Sequence, residues 1–273
     1  MKEEKRMSDK KHIYYAKNLS DIFYQLKSIS GLKIIGGCTQ LRELPENSLC
    51  IRNIKELAFC EKHERHFDFG PETTLSQILR IDTTKVPSVL SEAVKSIANA
   101  NIRNIATLAG NICAPDYKHT LFAPLLALDA KLEFKSETEV KNIPMTKFTS
   151  VPEGFILSKI MVPLEEWEVS VFRRLGPAHE INEKSASFVF LANTLKGQLA
   201  NLRIAFAGPF SIRNRQIENK LLGAYLPLSI GNIQEVLEEA EVQFEQEKGD
   251  TEVSPVLKTQ FLNLLKYSLE QLT

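Results

Sequence analysis

The chain has 273 residues, enough for a sizeable core and, as a soft prior, about two domains. Lys plus Arg and Asp plus Glu balance at 34 each, so no basic field points to nucleic acid and no Lys/Arg run points to an anionic membrane surface. No apolar run approaches the length of a membrane span. The four cysteines, Cys38, Cys50, Cys60 and Cys113, are scattered without a C-x-x-C pair and fit neither a zinc site nor an iron–sulfur ligand set. Reduced thiols in a cytoplasmic protein are the expectation, and any metal cluster this protein works with must sit on another chain.

The first dozen residues are charged and have no apolar h-region, so they do not form a secretory signal. Residues 1–11 are expected to be a mobile tail. Ile13–Tyr15 predicts a short strand. Asn18 or Ser20 caps a helix whose apolar face is Leu19, Ile22, Phe23, Leu26 and Ile29, with Gly31 at its end. Leu32–Ile35 predicts a strand that runs into a glycine turn, Gly36-Gly37-Cys38-Thr39-Gln40-Leu41. Leu49–Ile51 predicts the next strand, followed by a turn of helix at Ile54–Leu57. The result is a small β-α-β unit. It lacks G-x-G-x-x-G after its strand, and its helix precedes the glycine turn, so the Rossmann fingerprint is absent.

His66–Gly70 predicts a strand and turn. Thr74-Leu75-Ser76-Gln77 predicts a capping box that opens a short helix. Val89, Leu90, Ala93, Val94 and Ile97 mark a helix ending near Ala98. It feeds a central stretch, residues 97–128. A polar bend, Asn99–Asn104, is followed by an apolar run, Ile105–Asn111, that stops on a Gly-Asn pair, and an apolar segment, Leu125–Leu128, closes the stretch. Small-residue turns let backbone N–H groups approach a ligand with no Cβ in the way. With Arg and Asn side chains beside it, such a turn suits an anion such as a diphosphate. Taken alone, a turn of this kind is more often only a turn.

Strands are expected at Lys131–Phe134 and Gly154–Ile160, and composition shifts near Pro163. Three strands, Trp167–Phe172, Ser185–Thr194 and Leu199–Ala207, then predict an antiparallel meander. Helices follow at Arg213–Leu222, along Ile233 to Phe244 and along Phe261 to Leu272. Strands first and helices after predict a separate α+β domain over residues 165–273. The acidic run near Glu235–Glu247 reads as a solvated helix face, and Trp167 and the Phe-rich strand 188–190 as core.

The order and spacing of these features resemble the FAD-binding medium subunit of molybdenum hydroxylases, the group that includes xanthine dehydrogenase and carbon monoxide dehydrogenase flavoprotein subunits. In that family a motif close to A-G-G-T-D/S-L and a second close to I-R-N-x-A-T-I/L-G-G-N hold the FAD diphosphate between two subdomains. Gly36–Leu41 matches the first, and Ile102-Arg103-Asn104-Ile105-Ala106-Thr107-Leu108-Ala109-Gly110-Asn111 matches the second. Phe69-Gly70-Pro71-Glu72-Thr73-Thr74-Leu75 is similar to the family turn I-G-A-x-x-T-L. Arg203–Gly208 and the spacing of Arg213, Glu218, Leu221 and Gly223 are similar to its C-terminal domain.

The resemblance implies an α+β fold: a PCMH-type FAD-binding domain over residues 12–164, made of two α/β subdomains (about 12–62 and 63–164), then a C-terminal domain over 165–273 with a three-stranded antiparallel sheet and helices. It implies FAD as cofactor and a cofactor-binding set of Ile35, Gly36, Gly37, Cys38, Thr39, Gln40, Leu41, Ile102, Arg103, Thr107, Ala109, Gly110, Asn111 and Thr120. Four of these positions depart from the family pattern. Cys38 replaces the second glycine and is strained if that position needs positive φ. Gln40 replaces Asp or Ser, Ala109 replaces a glycine, and Thr120 stands where the family has an Asp near the ribityl chain, a weaker acceptor.

Residue by residue, alternatives stay open. Thr39, Thr107 and Asn111 either contact diphosphate or ribose or cap local turns. Arg103 and Asn104 brace the turn. Cys38 is a packed small side chain or a redox thiol beside the flavin. His119 is a solvated loop histidine or lies over the cofactor, and Asp116 and Tyr117 are candidate cofactor-loop residues. No catalytic acid–base pair is visible, which suits electron or hydride transfer. By resemblance, the chain is an electron-transfer flavoprotein subunit. It passes electrons from a [2Fe–2S] small subunit through FAD to NAD or another acceptor, and a molybdopterin large subunit oxidises the substrate. The alternatives are a PCMH-fold structural or assembly subunit that has lost FAD and, less favoured, a self-sufficient flavin oxidase.

Overall fold

The computed structural model describes residues 11–213 and 215–272, so most of the expected tail lies outside the described residues. Strands β1 (His12–Tyr15), β2 (Lys33–Ile35) and β3 (Asn47–Cys50) form a parallel sheet in the order β1-β3-β2. Helix α1 (Leu19–Ser28) connects β1 to β2. The Asn18 side chain caps it by accepting from the Asp21 N–H, and Ile22 is its fully buried anchor. Because β2 and β3 run parallel with Ile35 opposite Cys50, both chains leave the sheet at the same end. Gly36 and the Ile51–Asn53 segment are thereby neighbours, and the Ile51 N–H donates to the Ile35 carbonyl at 3.2 Å.

Strands β4 (Cys60–Lys62), β5 (His66–Phe69), β6 (Lys131–Lys135), β7 (Val140–Pro144) and β8 (Ile156–Pro163) make an antiparallel sheet in the order β4-β5-β8-β6-β7. Alternate residues, Phe67 and Phe69, Leu132 and Phe134, Ile160 and Val162, face one core. Five helices line that core: α2 (Leu75–Arg80), α3 (Ser88–Lys95), α4 (Ala100–Arg103), α5 (Leu108–Ile112) and α6 (Phe122–Ala127). The capping box at Thr74 and Gln77 forms in both directions. Two expectations are corrected. The polar bend 99–104 contains helix α4, and Gly110-Asn111 lies inside helix α5 rather than at a turn after an extended run. Both helices are short pieces nucleated by side-chain caps, Asn99 and Thr107.

The third sheet contains the expected meander, β9 (Val169–Leu175), β10 (Ala186–Leu195) and β11 (Gln198–Ala207), with a two-residue edge strand, β12 (Ser211–Ile212), added beyond β11. β10 and β11 are buried on both faces. Val189, Leu191, Ala205 and Ala207 pack towards α6 in the first core. Phe188, Phe190, Ile204 and Phe206 face helices α7 (Arg215–Lys220), α8 (Ile230–Lys248) and α9 (Pro255–Glu270) in the second. Trp167 packs against the first core, and the Phe-rich strand is core as expected. A buried network joins the two cores. Arg213 donates from Nη1 to the Leu126 carbonyl at the end of α6 and from Nε to Glu218 Oε1, each at 2.5 Å. Glu218 Oε1 also accepts from the Ile204 N–H at 2.9 Å. A guanidinium at the carbonyl end of α6 satisfies acceptors that the helix leaves open.

Candidate functional site

The first glycine turn leaves the parallel sheet at the C-terminal end of β2, the end at which open α/β sheets bind ligands. At Gly37 an added Cβ would stand 2.1 Å from the Ile105 carbonyl oxygen, so the turn lies directly on the chain that precedes α5. The two matched motifs therefore touch. Among the described residues, none of the backbone N–H groups of Gly37, Cys38, Thr39, Gln40 and Leu41 has an acceptor. A row of unpaired donors in a turn is the kind of arrangement that can receive an anion. Cys38 holds φ at +54°, the left-handed region that glycine adopts freely. Its thiol is exposed rather than packed and donates weakly to the Gly36 carbonyl at 3.4 Å. Partial desolvation by the surrounding turn, chiefly, and then Cys50 push that thiol up, against a lowering by Arg52.

The second motif is satisfied internally. The Leu108 N–H donates to the Thr73 carbonyl and the Ala109 N–H to the Pro71 carbonyl. The Gly110 N–H donates to Thr107 Oγ1 at 3.1 Å and the Asn111 N–H to the Thr107 carbonyl. Thr107 is thus a helix cap, and Asn111 Oδ1 accepts from the Leu121 N–H at 2.9 Å. Arg103 Nη1 donates to the Ile97 and Ala98 carbonyls, each at 2.7 Å, which is a bracing role. Ile102 packs half-buried against the first core. The G-P-E-T-T-L turn pairs with this motif, Thr74 bridging Thr107. Ile35 is buried in the sheet, and Gln40 and Leu41 are exposed.

Two residues at this junction were not singled out by sequence as site residues. Glu72 is 8% exposed. Its Oε2 accepts from the Asn53 N–H at 3.2 Å, while Oε1 is buried without a partner. A Cβ placed on Gly36 would stand 3.6 Å from Glu72 Oε1 and 3.5 Å from Thr107 Oγ1, so the carboxyl sits between the two motifs. Burial raises its pKa, against lowering by the Asn53 N–H and Arg52. Arg52 is exposed and close enough to act on both Glu72 and Cys38. The usable signal for Arg52 was the parallel pairing of β2 and β3, which places the residues after β3 beside the first turn.

The loop from α5 to α6 reaches the C-terminal sheet, where the Lys118 N–H donates to the Gly208 carbonyl at 2.8 Å. Within this loop His119 is 6% exposed, correcting the expectation of a solvated side chain, and burial lowers its pKa against the pull of Asp116. Thr120 is also buried and directly precedes the Leu121 N–H held by Asn111. Asp116 is exposed and Tyr117 half-buried.

A family model described as the FAD binding domain in molybdopterin dehydrogenase matches residues 6–165. The xanthine dehydrogenase FAD-binding subunit of Escherichia coli O157:H7 is 29% identical over 188 residues, 62% of this chain and 61% of that protein. The chain therefore aligns with about three fifths of the length of that curated relative. The glyceraldehyde dehydrogenase medium chain of Sulfolobus acidocaldarius is 24% identical over 195 residues, 67% of this chain and 68% of that one. A chain of the carbon monoxide dehydrogenase from Hydrogenophaga pseudoflava superposes with a TM-score of 0.79 at 18% identity, over 97% of this chain and 96% of that chain. This likeness establishes the mixed α and β fold. With more than half of its length matched, the chain belongs to the FAD-binding domain family of the molybdopterin dehydrogenases.

Proposed function

We propose that this chain is the electron-transfer flavoprotein subunit of a molybdenum hydroxylase, with FAD held extended between the two glycine-motif segments. One observation carries the assignment: the N–H groups of Gly37–Leu41 are unpaired in a turn that Gly37 presses against Ile105 at the end of a parallel sheet, an arrangement suited to an anion such as a diphosphate. These donors fit the cofactor's diphosphate. When bound, FAD supplies reversible one- and two-electron redox chemistry.

The chain's own residues divide the work. Gly36 and Gly37 keep side chains out of the cradle, Thr39 adds a hydroxyl to it, and Ile35 anchors the strand that presents it. Arg52 supplies a cation beside the turn, and Glu72, its pKa raised by burial, opposes the diphosphate less than an ordinary carboxylate does. Thr107, Ala109 and Gly110 form the facing wall, which Ile102 seats in the core and Arg103 braces. Asn111 fixes the start of α6 and with it Thr120, whose hydroxyl would serve the ribityl chain of a bound FAD. The Lys118–Gly208 hydrogen bond ties this loop to the C-terminal sheet, so the isoalloxazine end of a bound FAD would face residues 165–273.

In this proposal electrons arrive from a [2Fe–2S] small subunit, a molybdopterin large subunit oxidises the substrate, and NAD or another acceptor takes the electrons. No described helix is long and apolar enough to cross a membrane. The visible spectrum of the purified chain, before and after excess FAD and desalting, tests the assignment. Two retained flavin bands support it, and a protein that stays colourless with its partner subunits present overturns it. Two observations favour a second reading, a PCMH-fold structural subunit without flavin: the left-handed Cys38 and the carboxyl of Glu72 between the motifs.

A further inference from the structure

The β4–β5 hairpin carries a second polar group, separate from the glycine motifs. His63 and His66 flank its turn, which closes through the His63 N–H to the His66 carbonyl at 2.9 Å. His66 and Asp68 stand two apart on β5, on the sheet face opposite the core residues Phe67 and Phe69. The two imidazoles stack with centroids 4.5 Å apart and planes at 20°. Both direct Nε2 at one carboxylate: His63 Nε2 lies 3.4 Å from Asp68 Oδ2, and His66 Nε2 lies 3.4 Å from Oδ1. One ligand atom from each of the three residues falls within 4.8 Å of the others.

Each of the two 3.4 Å separations, which run to different oxygens of Asp68, has the length of one edge of a coordination polyhedron. Zinc–nitrogen and zinc–oxygen bonds of about 2.1 Å in a tetrahedral set place ligand atoms about 3.4 Å apart. The Asp68 side chain is 3% exposed, and its Oδ1, which faces His66, is buried with no hydrogen-bond partner. Such an oxygen is unfavourable unless a cation or proton meets it. Lys159 Nζ engages the carboxylate from the other oxygen, 3.0 Å from Oδ2, and Glu133 and Glu61 lie near enough to offset the ammonium. Two imidazoles and one carboxylate suit zinc and its borderline neighbours, whereas calcium and magnesium prefer oxygen ligands alone. The histidine side chains are 44% and 40% exposed, so the focus opens to solvent.

We propose that His63, His66 and Asp68 form a three-ligand site for a borderline divalent cation such as Zn2+, with water completing the shell on the exposed side. The ion pins the turn of the hairpin to the buried centre of β5 and secures the three-residue edge strand β4.

The test uses the full chain, stripped with EDTA and with its thiols blocked, titrated with Zn2+ against a chromogenic chelator. One Zn2+ per chain is expected. His63→Gln and His66→Gln each weaken binding at least tenfold, and the double variant loses stoichiometric uptake. Zn2+ raises the melting temperature of the wild-type chain but not that of the double variant. Both histidines are part-exposed, so the variants are expected to fold, which circular dichroism checks. Cobalt loading of the unblocked protein is expected to lack a thiolate charge-transfer band. The proposal is overturned if the wild-type chain takes up no stoichiometric Zn2+, if the double variant binds as tightly as wild type, or if a thiolate band appears and vanishes in Cys60→Ala.

Discussion

The two glycine motifs look alike as strings of small residues, yet they solve opposite problems. Gly37–Leu41 leaves its backbone donors unpaired among the described residues, and 108–111 uses all of its own. The first turn hangs off the end of β2, where no following helix or strand reclaims its N–H groups. The second is the start of a helix, whose first donors are taken by Thr107, Thr73 and Pro71. A motif can therefore belong to a ligand site in two ways, as donor or as wall. The hydrogen-bond accounting separates them where the letters do not.

The sharpest way to break this comparison is a methyl group on each side of it. Gly37→Ala puts a Cβ 2.1 Å from a backbone carbonyl that has nowhere to go. A loss of about 3 kcal/mol is expected, together with loss of retained flavin. Urea midpoints and the flavin-to-protein ratio after desalting measure both. In Gly110→Ala the added Cβ meets only the Thr107 hydroxyl, at 3.1 Å. The helix gain of alanine over glycine, about 1 kcal/mol, offsets that contact, and a stability within about 1 kcal/mol of wild type is expected. Equal damage from the two variants would remove the distinction between donor turn and wall.

Next in size is the cap. Thr107→Ala leaves the Gly110 N–H without its acceptor, and about 1 kcal/mol of stability should be lost by urea denaturation. Thr107→Ser keeps the acceptor and should keep the stability. Smaller again is the carboxyl at the junction. The pKa of Glu72 is raised in the folded chain, so between the unfolded and folded values the native state holds more protons. Its contribution is full below the unfolded pKa and is lost as pH rises through the folded one. Glu72→Gln should flatten stability against pH across that window, from the ordinary carboxylate range upward. It should also raise flavin retention at neutral pH, where a carboxylate beside Gly36 opposes a diphosphate. An unchanged pH profile would place the shifted proton elsewhere.

What the sequence disclosed follows from how local each feature is. Helix α1 with its Asn18 cap, the capping box at Thr74, and β10 and β11 with their bulky apolar runs were legible because each is set by near neighbours. Strand β4 was not, because Cys60-Glu61-Lys62 is exposed throughout and an edge strand needs no apolar alternation. Helices α4 and α5 are too short for a 3.6-residue period to show, and Asn99 and Thr107, which cap them, also resemble ligand contacts. Glu72 and Arg52 emerged only with tertiary contact. Nothing local to Gly70–Leu75 says that its glutamate is buried, and only the parallel register brings Arg52 to Cys38.

The finest test falls on Cys38, where fold and ligand place different demands on one residue. At φ +54° an L residue costs about 1–2 kcal/mol relative to right-handed backbone, and glycine gives back about 0.5–1 kcal/mol in chain entropy. Cys38→Gly is therefore expected to stabilise by about 0.5 kcal/mol, measured by urea midpoint, with the N–H row unmoved because φ stays the same. If strain at this position weakens flavin binding, retention after desalting rises in Cys38→Gly and stays at the wild-type level in Cys38→Ser, which keeps the strain and removes the thiol. If the thiol itself matters beside the flavin, retention or reduction rate falls in both. The pair of variants thereby separates backbone geometry from sulfur chemistry at this left-handed position.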